Sequence, residues 1–132
     1  MKSGLAVGHT AVVSAVVTPG MYARFEGNVV HPVYSTVSMV YHMEWASRKI
    51  ILPYLEDHEE GMGAKVNVEH MAPAKSGSSL EIKANVITYE RNIILTEVTV
   101  IDKENGKVIG EGEVKQVVLP KEKIKERIQE KY

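Results

Sequence analysis

No cysteine occurs among the 132 residues. Disulfides, thiolate metal sites and a cysteine nucleophile are therefore excluded. Neither sign of charge prevails, with 16 Lys and Arg against 17 Asp and Glu, and no basic cluster is interleaved with aromatics, so a nucleic-acid footprint is missing. Long apolar runs are missing as well. The apolar run 11–17, which follows Lys2, His9 and Thr10, is far too short to span a bilayer. Its β-branched residues and the Thr18-Pro19-Gly20 stop read as a strand rather than a signal peptide, and a cytoplasmic protein with no membrane partner is expected. Several catalytic motifs are also lacking. There is no Walker-type phosphate loop, no G-x-S-x-G elbow and no HExxH, and Gly61-Met62-Gly63 lacks the third glycine of a dinucleotide fingerprint.

What remains is an ordinary globular composition, 44% apolar and 25% charged. The length fits one domain over 1–132, with 119–132 a charged tail that reads as a short helix. The stretch 35–55 lies within the longest segment without glycine, 28–60, and opens on hydroxyl residues suited to a helix N-terminus. Met39, Met43, Ala46, Ile50 and Pro53 form one apolar stripe. Val37, Val40, Tyr41, Glu44, Arg48 and Ile51 form a second face in which a carboxylate interrupts apolar neighbours. A helix apolar on nearly all sides is expected to be covered, and Pro53 should end it near Leu52.

The other segments read as strands. One lies at 9–18, and an irregular connection follows at 21–32. Then come 63–71, 80–89, 93–101 and 107–119, with Asn105-Gly106 as a hairpin signal before the last. Ala64, Val66, Val68 and His70 should share one face, and Leu80, Ile82, Ala84 and Val86 should point inward. Gly110 and Gly112 suggest a bulge or the close approach of another backbone. One helix beside a run of antiparallel strands is an α+β layer architecture. Ile87, Tyr89, Ile93, Leu95 and Ile101 remain for the outer sheet face, so dimerisation through a sheet edge or face is expected.

Three polar residues stand on these apolar surfaces: Thr36 at the helix start, Glu44 on the helix and His70 on its strand. A helix laid across the sheet can bring the carboxylate towards the imidazole. Burial raises a carboxylate pKa and a nearby negative charge raises that of histidine, so either group could exchange protons near neutrality. The plainer readings are a hydrogen-bonded core histidine, a Glu44–Arg48 ion pair one turn apart and Thr36 as an N-cap. A metal site from His42, Glu44 and His70 is the weakest of these.

The run Thr36-Val37-Ser38-Met39-Val40-Tyr41-His42-Met43-Glu44-Trp45-Ala46, then Pro53-Tyr54-Leu55-Glu56, resembles the central helix of the fluoroacetyl-CoA thioesterase group of hotdog-fold proteins. Gly63-Ala64-Lys65-Val66-Asn67-Val68-Glu69-His70 resembles that group's next strand. The resemblance implies a sheet wrapped round one long helix, a homodimer with sites near the subunit interface, and hydrolysis of a small or medium acyl-CoA thioester. It implies catalytic roles for Thr36, Glu44 and His70 and a substrate contact at Gly63. No metal or cofactor is implied beyond the coenzyme A of the substrate. Two positions depart from the group: Gln116 stands where it has an arginine, and residues 29–34 lack its phenylalanine-rich lid, which counts against fluoroacetyl selectivity. On this reading the helix N-terminus stabilises the oxyanion, His70 is the general base, and Glu44 either orients it or attacks the carbonyl. Thr36 and Glu44, eight residues apart, would be separated by roughly 12 Å along a helix. A non-catalytic acyl-CoA-binding protein of the same fold is the alternative, and a CoA-dependent hydratase a third reading.

Overall fold

The computed structural model describes residues 1–130. Strand β1 (Thr10–Val16) is followed by a short hairpin, β2 (Tyr22–Phe25) and β3 (Asn28–Tyr34), then by helix α1 (Thr36–Ile51). Strands β4 (Glu59–His70), β5 (Ser79–Glu90), β6 (Ile93–Asp102) and β7 (Val108–Pro120) follow, and helix α2 (Lys121–Gln129) closes the described chain. Five strands form one antiparallel sheet in the order β1-β5-β6-β7-β4, and β2 pairs only with β3. The sheet wraps the long helix, so the expected α+β architecture is the observed one.

Alternation along the strands fills the space under the helix. Leu80, Ile82, Ala84 and Val86 of β5, with Ile94, Val98 and Val100 of β6, are buried against Met39, Met43, Ala46 and Ile50 of α1. The two glycines of β7 make this approach possible. A Cβ on Gly110 would meet Met39 and the Glu69 carbonyl, and one on Gly112 would meet the Asn67 carbonyl and Met43. Both expected reasons apply: the backbone of β4 comes close to each glycine, and the pairing with β6 passes from Gly110 directly to Val108, leaving Ile109 as the extra residue of a bulge. The helix gives way at Ile51 to a 3-10 turn, Leu52–Tyr54, because Pro53 has no N–H to continue the ladder.

Five expectations need correction. Residues 21–32 are not irregular: they form the β2–β3 hairpin, turned by Glu26 and Gly27 at positive φ. Register shifts on either side of Ala23 and the proline at 32 break the alternation that would have revealed it. In β4, pairing with β7 runs from Gly63 directly to Lys65, so Ala64 is the extra residue of a bulge. Gly61 and Gly63 therefore face α1, where added Cβ atoms would strike Ile51 and Glu44, while Ala64 is exposed. A bulge at Ile87 likewise turns Tyr89 inward, and its hydroxyl lies 3.6 Å from the Met1 sulfur. Finally, α1 is covered on one side only: Val37 is 80% and Tyr41 63% exposed, and Glu44 stands among them in the open. The outer sheet face is not the apolar surface expected, since Glu69 pairs across from Glu111 and Glu97 from Glu113. Like charges opposed in this way disfavour stacking of two such faces. No helix among the described residues is long and apolar enough to cross a membrane.

Candidate active site

The N-terminus of α1 divides its work between adjacent hydroxyls. Ser35, not Thr36, is the N-cap: its Oγ accepts the Ser38 N–H at 3.0 Å, and its carbonyl accepts the Met39 N–H at 3.0 Å. Thr36 is thereby left free to turn its hydroxyl to His70, with Oγ1 and Nδ1 2.9 Å apart. His70 ends β4 opposite Gly110. Its other nitrogen, Nε2, is buried and has no hydrogen-bond partner. Buried polar atoms are nearly always paired, so this nitrogen sets His70 apart from a fully hydrogen-bonded core histidine and makes it a candidate site residue. Thr36 borders an open cavity of about 450 Å³ between the hairpin and the helix start, lined also by Tyr22, Arg24, Phe25 and His31.

Behind His70 lies a pair that the sequence reading passed over. The Tyr34 hydroxyl and His42 Nδ1 are 2.7 Å apart, both residues are buried, and their rings stack with centroids 5.7 Å apart. The Tyr34 ring also meets His70 edge-on, at 6.2 Å between centroids. Burial pushes the Tyr34 phenol above its ordinary range and the His42 imidazole below its own. His42 falls three residues after Met39 and four before Ala46, within the buried stripe, and that spacing was the available signal. The weak metal reading fails on geometry, because His42 turns to Tyr34 and His70 to Thr36 while Glu44 leaves the helix elsewhere.

Glu44 lines a second cavity, of about 220 Å³, with Tyr41, Trp45, Gly61, Gly63 and Gln116. A Cβ on Gly63 would stand 2.5 Å from its Oε1, so the glycine makes room for the carboxylate. The expected ion pair with Arg48 is not formed. Arg48 turns instead to Glu60, at 3.0 Å, and holds that carboxyl below its usual range. Gln116 is buried and donates Nε2–H to the Ser47 carbonyl at 3.0 Å, which ties it to the core. Gly63 and His70 stand at opposite ends of an eight-residue stretch of β4, roughly 20 Å apart at the usual rise of a strand. Within one chain Thr36 meets His70 and Glu44 meets Gly63, but the two pairs do not meet.

Comparison with known proteins bears on the family and the fold. Residues 17–122 match the model of the fluoroacetyl-CoA-specific thioesterase family. The fluoroacetyl-CoA thioesterase of Streptantibioticus cattleyicolor is 28% identical over 137 aligned residues, covering 99% of this chain and 97% of that protein. Among solved structures, a Thermus thermophilus thioesterase superfamily member superposes with a TM-score of 0.91 at 42% identity, over 96% of this chain and 93% of its own. A threonine-to-serine variant of the fluoroacetyl-CoA thioesterase, in complex with acetyl-CoA, gives 0.86 at 25% identity, over 95% and 97%. A hotdog-like protein of Thermanaerovibrio acidaminovorans, at 18% identity and a TM-score of 0.84, shares the fold. With its helix, sheet and length all matched, the chain belongs to the fluoroacetyl-CoA-specific thioesterase family of hotdog-fold hydrolases.

Proposed function

We propose that the protein hydrolyses a small or medium acyl-CoA thioester through Thr36 and His70, with Glu44 supplied by a second copy of the chain. The observation that carries this reading is the 2.9 Å contact between Thr36 Oγ1 and His70 Nδ1 at the mouth of an open cavity. Nδ1 faces the hydroxyl, so the imidazole takes its proton as Oγ1 attacks the thioester carbonyl. The carbon–sulfur bond then breaks and the proton passes to the coenzyme A sulfur. Water cleaves the acyl-threonine by the same relay and releases the free acid. Ser35 already occupies the N–H groups of Ser38 and Met39. Those of Thr36 and Val37 are left to meet the oxyanion, with the positive end of the helix dipole behind them.

The edge strand supports the second copy. β4 pairs with β7 on one side only and presents twelve residues on the other, an edge that soluble proteins seldom leave open. Antiparallel pairing of two β4 strands about Asn67 would set Lys65 opposite Glu69 and Val66 opposite Val68, and the bulge at Gly63 and Ala64 opposite His70. Glu44, which lies against Gly63, would then reach the Thr36–His70 end of the other copy. The exposed Tyr41 and Trp45, which share the Glu44 cavity, would be covered by the same pairing. Gln116 offers no positive charge beside Glu44 and there is no phenylalanine-rich lid, so an unfluorinated acyl group is the expected substrate. A cytoplasmic location goes with a coenzyme A ester as substrate.

A panel of acyl-CoA esters assayed with a thiol reagent tests the reaction. His70→Ala should lower turnover by about 10²- to 10⁴-fold. Saturable binding without release of thiol would instead make the protein a non-catalytic acyl-CoA binder. Co-refolding His70→Ala with Glu44→Gln tests the shared site. Mixed dimers keep one intact site, so about a quarter of wild-type activity should return, and no recovery would refute the composite arrangement.

A further inference from the structure

We propose that Tyr34 and His42 are positioning residues for the hydrolysis, acting on it by fixing the plane of the His70 imidazole; the inference rests on the thioesterase reading of Thr36 and His70. His70 is held by one hydrogen bond, through Nδ1 to Thr36, and a ring held at one atom can still swing about that bond. The second restraint is the Tyr34 ring, set edge-on to it with an interplanar angle of 70°.

Tyr34 is itself fixed at both ends. Its backbone N–H donates to the Ala74 carbonyl at 2.8 Å, and its hydroxyl lies 2.7 Å from His42 Nδ1. Burial keeps the phenol protonated and the imidazole neutral, so the hydroxyl donates and His42 carries its proton on Nε2. The two rings are nearly parallel, at 15°. A phenylalanine beside a leucine would fill this space without removing two polar groups from water. What the polar pair adds is a direction: a phenol held at its oxygen cannot slide along its own axis, and His70 rests on that ring.

The test uses Tyr34→Phe, His42→Leu and the double variant of the full chain, with steady-state kinetics on an acyl-CoA that the wild type turns over. Nitrogen-15 NMR of the His70 imidazole is recorded alongside. Each single variant should lower kcat on the order of tenfold while KM moves less than about twofold, the pattern of a displaced reacting group. The double variant should be no slower than the worse single. His42→Asn, which returns an acceptor near the Nδ1 position, should recover most of the loss. Tyr34→Phe keeps the ring and its volume, so folding is retained, and its His70 resonances should broaden or shift. An unchanged kcat accompanied by a lower melting temperature would show a purely structural pair and overturn the proposal. Should the wild type hydrolyse no acyl-CoA, the thioesterase reading fails on its own. In that case unmoved His70 resonances in Tyr34→Phe would still overturn the clamp.

Discussion

Replacing Gly63 by alanine should separate the chemistry of Glu44 from the stability of the fold. Gly63 is not at positive φ, so alanine fits its backbone, and in a compatible strand the exchange stabilises by up to about 1 kcal/mol through the unfolded chain. The new Cβ would lie 2.5 Å from Glu44 Oε1, whereas ordinary contact begins at 3.4 Å. The carboxylate must therefore retreat by about 1 Å. It sits at the end of a flexible side chain on an open helix face, so the retreat is cheap. A reacting group misplaced by about 1 Å can cost up to 10²-fold in rate. The expected result is a fall in kcat between about tenfold and a hundredfold, with a melting temperature equal to or above that of the wild type. Thiol-release kinetics and a thermal melt on the same preparation decide it. Full activity in Gly63→Ala would show that the carboxylate's place is immaterial, and a collapse in melting temperature would show that the glycine serves packing instead.

Gly112→Ala should behave in the opposite way. Its Cβ meets the Asn67 backbone carbonyl rather than a mobile side chain, and a loss of about 1–3 kcal/mol or more is expected in urea denaturation. Thr96→Val removes one of the two partners of the buried Ser47 hydroxyl, at 2.7 Å, together with the Thr96 bond to the Val114 carbonyl, and should cost about 1 kcal/mol in the same assay. Stability should also decline with acid. His42 titrates below its ordinary value because of burial, so the unfolded chain binds its proton more readily. Its contribution is complete above about pH 6.5 and is lost as pH falls through the lowered value. Glu59, depressed by the Glu56 N–H and then by the N-terminal ammonium at 2.9 Å, adds a second decline below about pH 4.3. Urea midpoints between pH 8 and 3 should fall monotonically, and His42→Leu should flatten the upper part of the curve. A midpoint that rises on acidification would contradict both assignments.

Sequence periodicity carried a good part of the fold. The Met39, Met43, Ala46 and Ile50 stripe and the inward set Leu80 to Val86 lie where their spacing put them, because a helix and a half-buried strand each impose a fixed period. Bulges were invisible to the same method. One extra residue at Ala64 inverts the faces on either side of it, and no residue type announces that inversion. The hairpin was missed because Pro32 and the shifted pairing around Ala23 erase alternation. At the site, Thr36 and His70 were legible as polar residues on apolar surfaces, and they meet. Glu44 was legible too, but its expected burial belongs to no surface within one chain. His42 was misjudged because an aromatic ring with two nitrogens counts as polar in a pattern, although its neighbours in the stripe are core residues.

Ser35 and Thr36 carry one further consequence. The hydroxyl that starts the helix and the hydroxyl that faces His70 belong to different residues, so losing the second leaves the first in place. A descendant of this chain could exchange Thr36 and keep its helix, its sheet and its cavity. On the proposed role of Thr36, hydrolase and mere carrier would then stand one codon apart, and the transition between them would leave no mark on the fold.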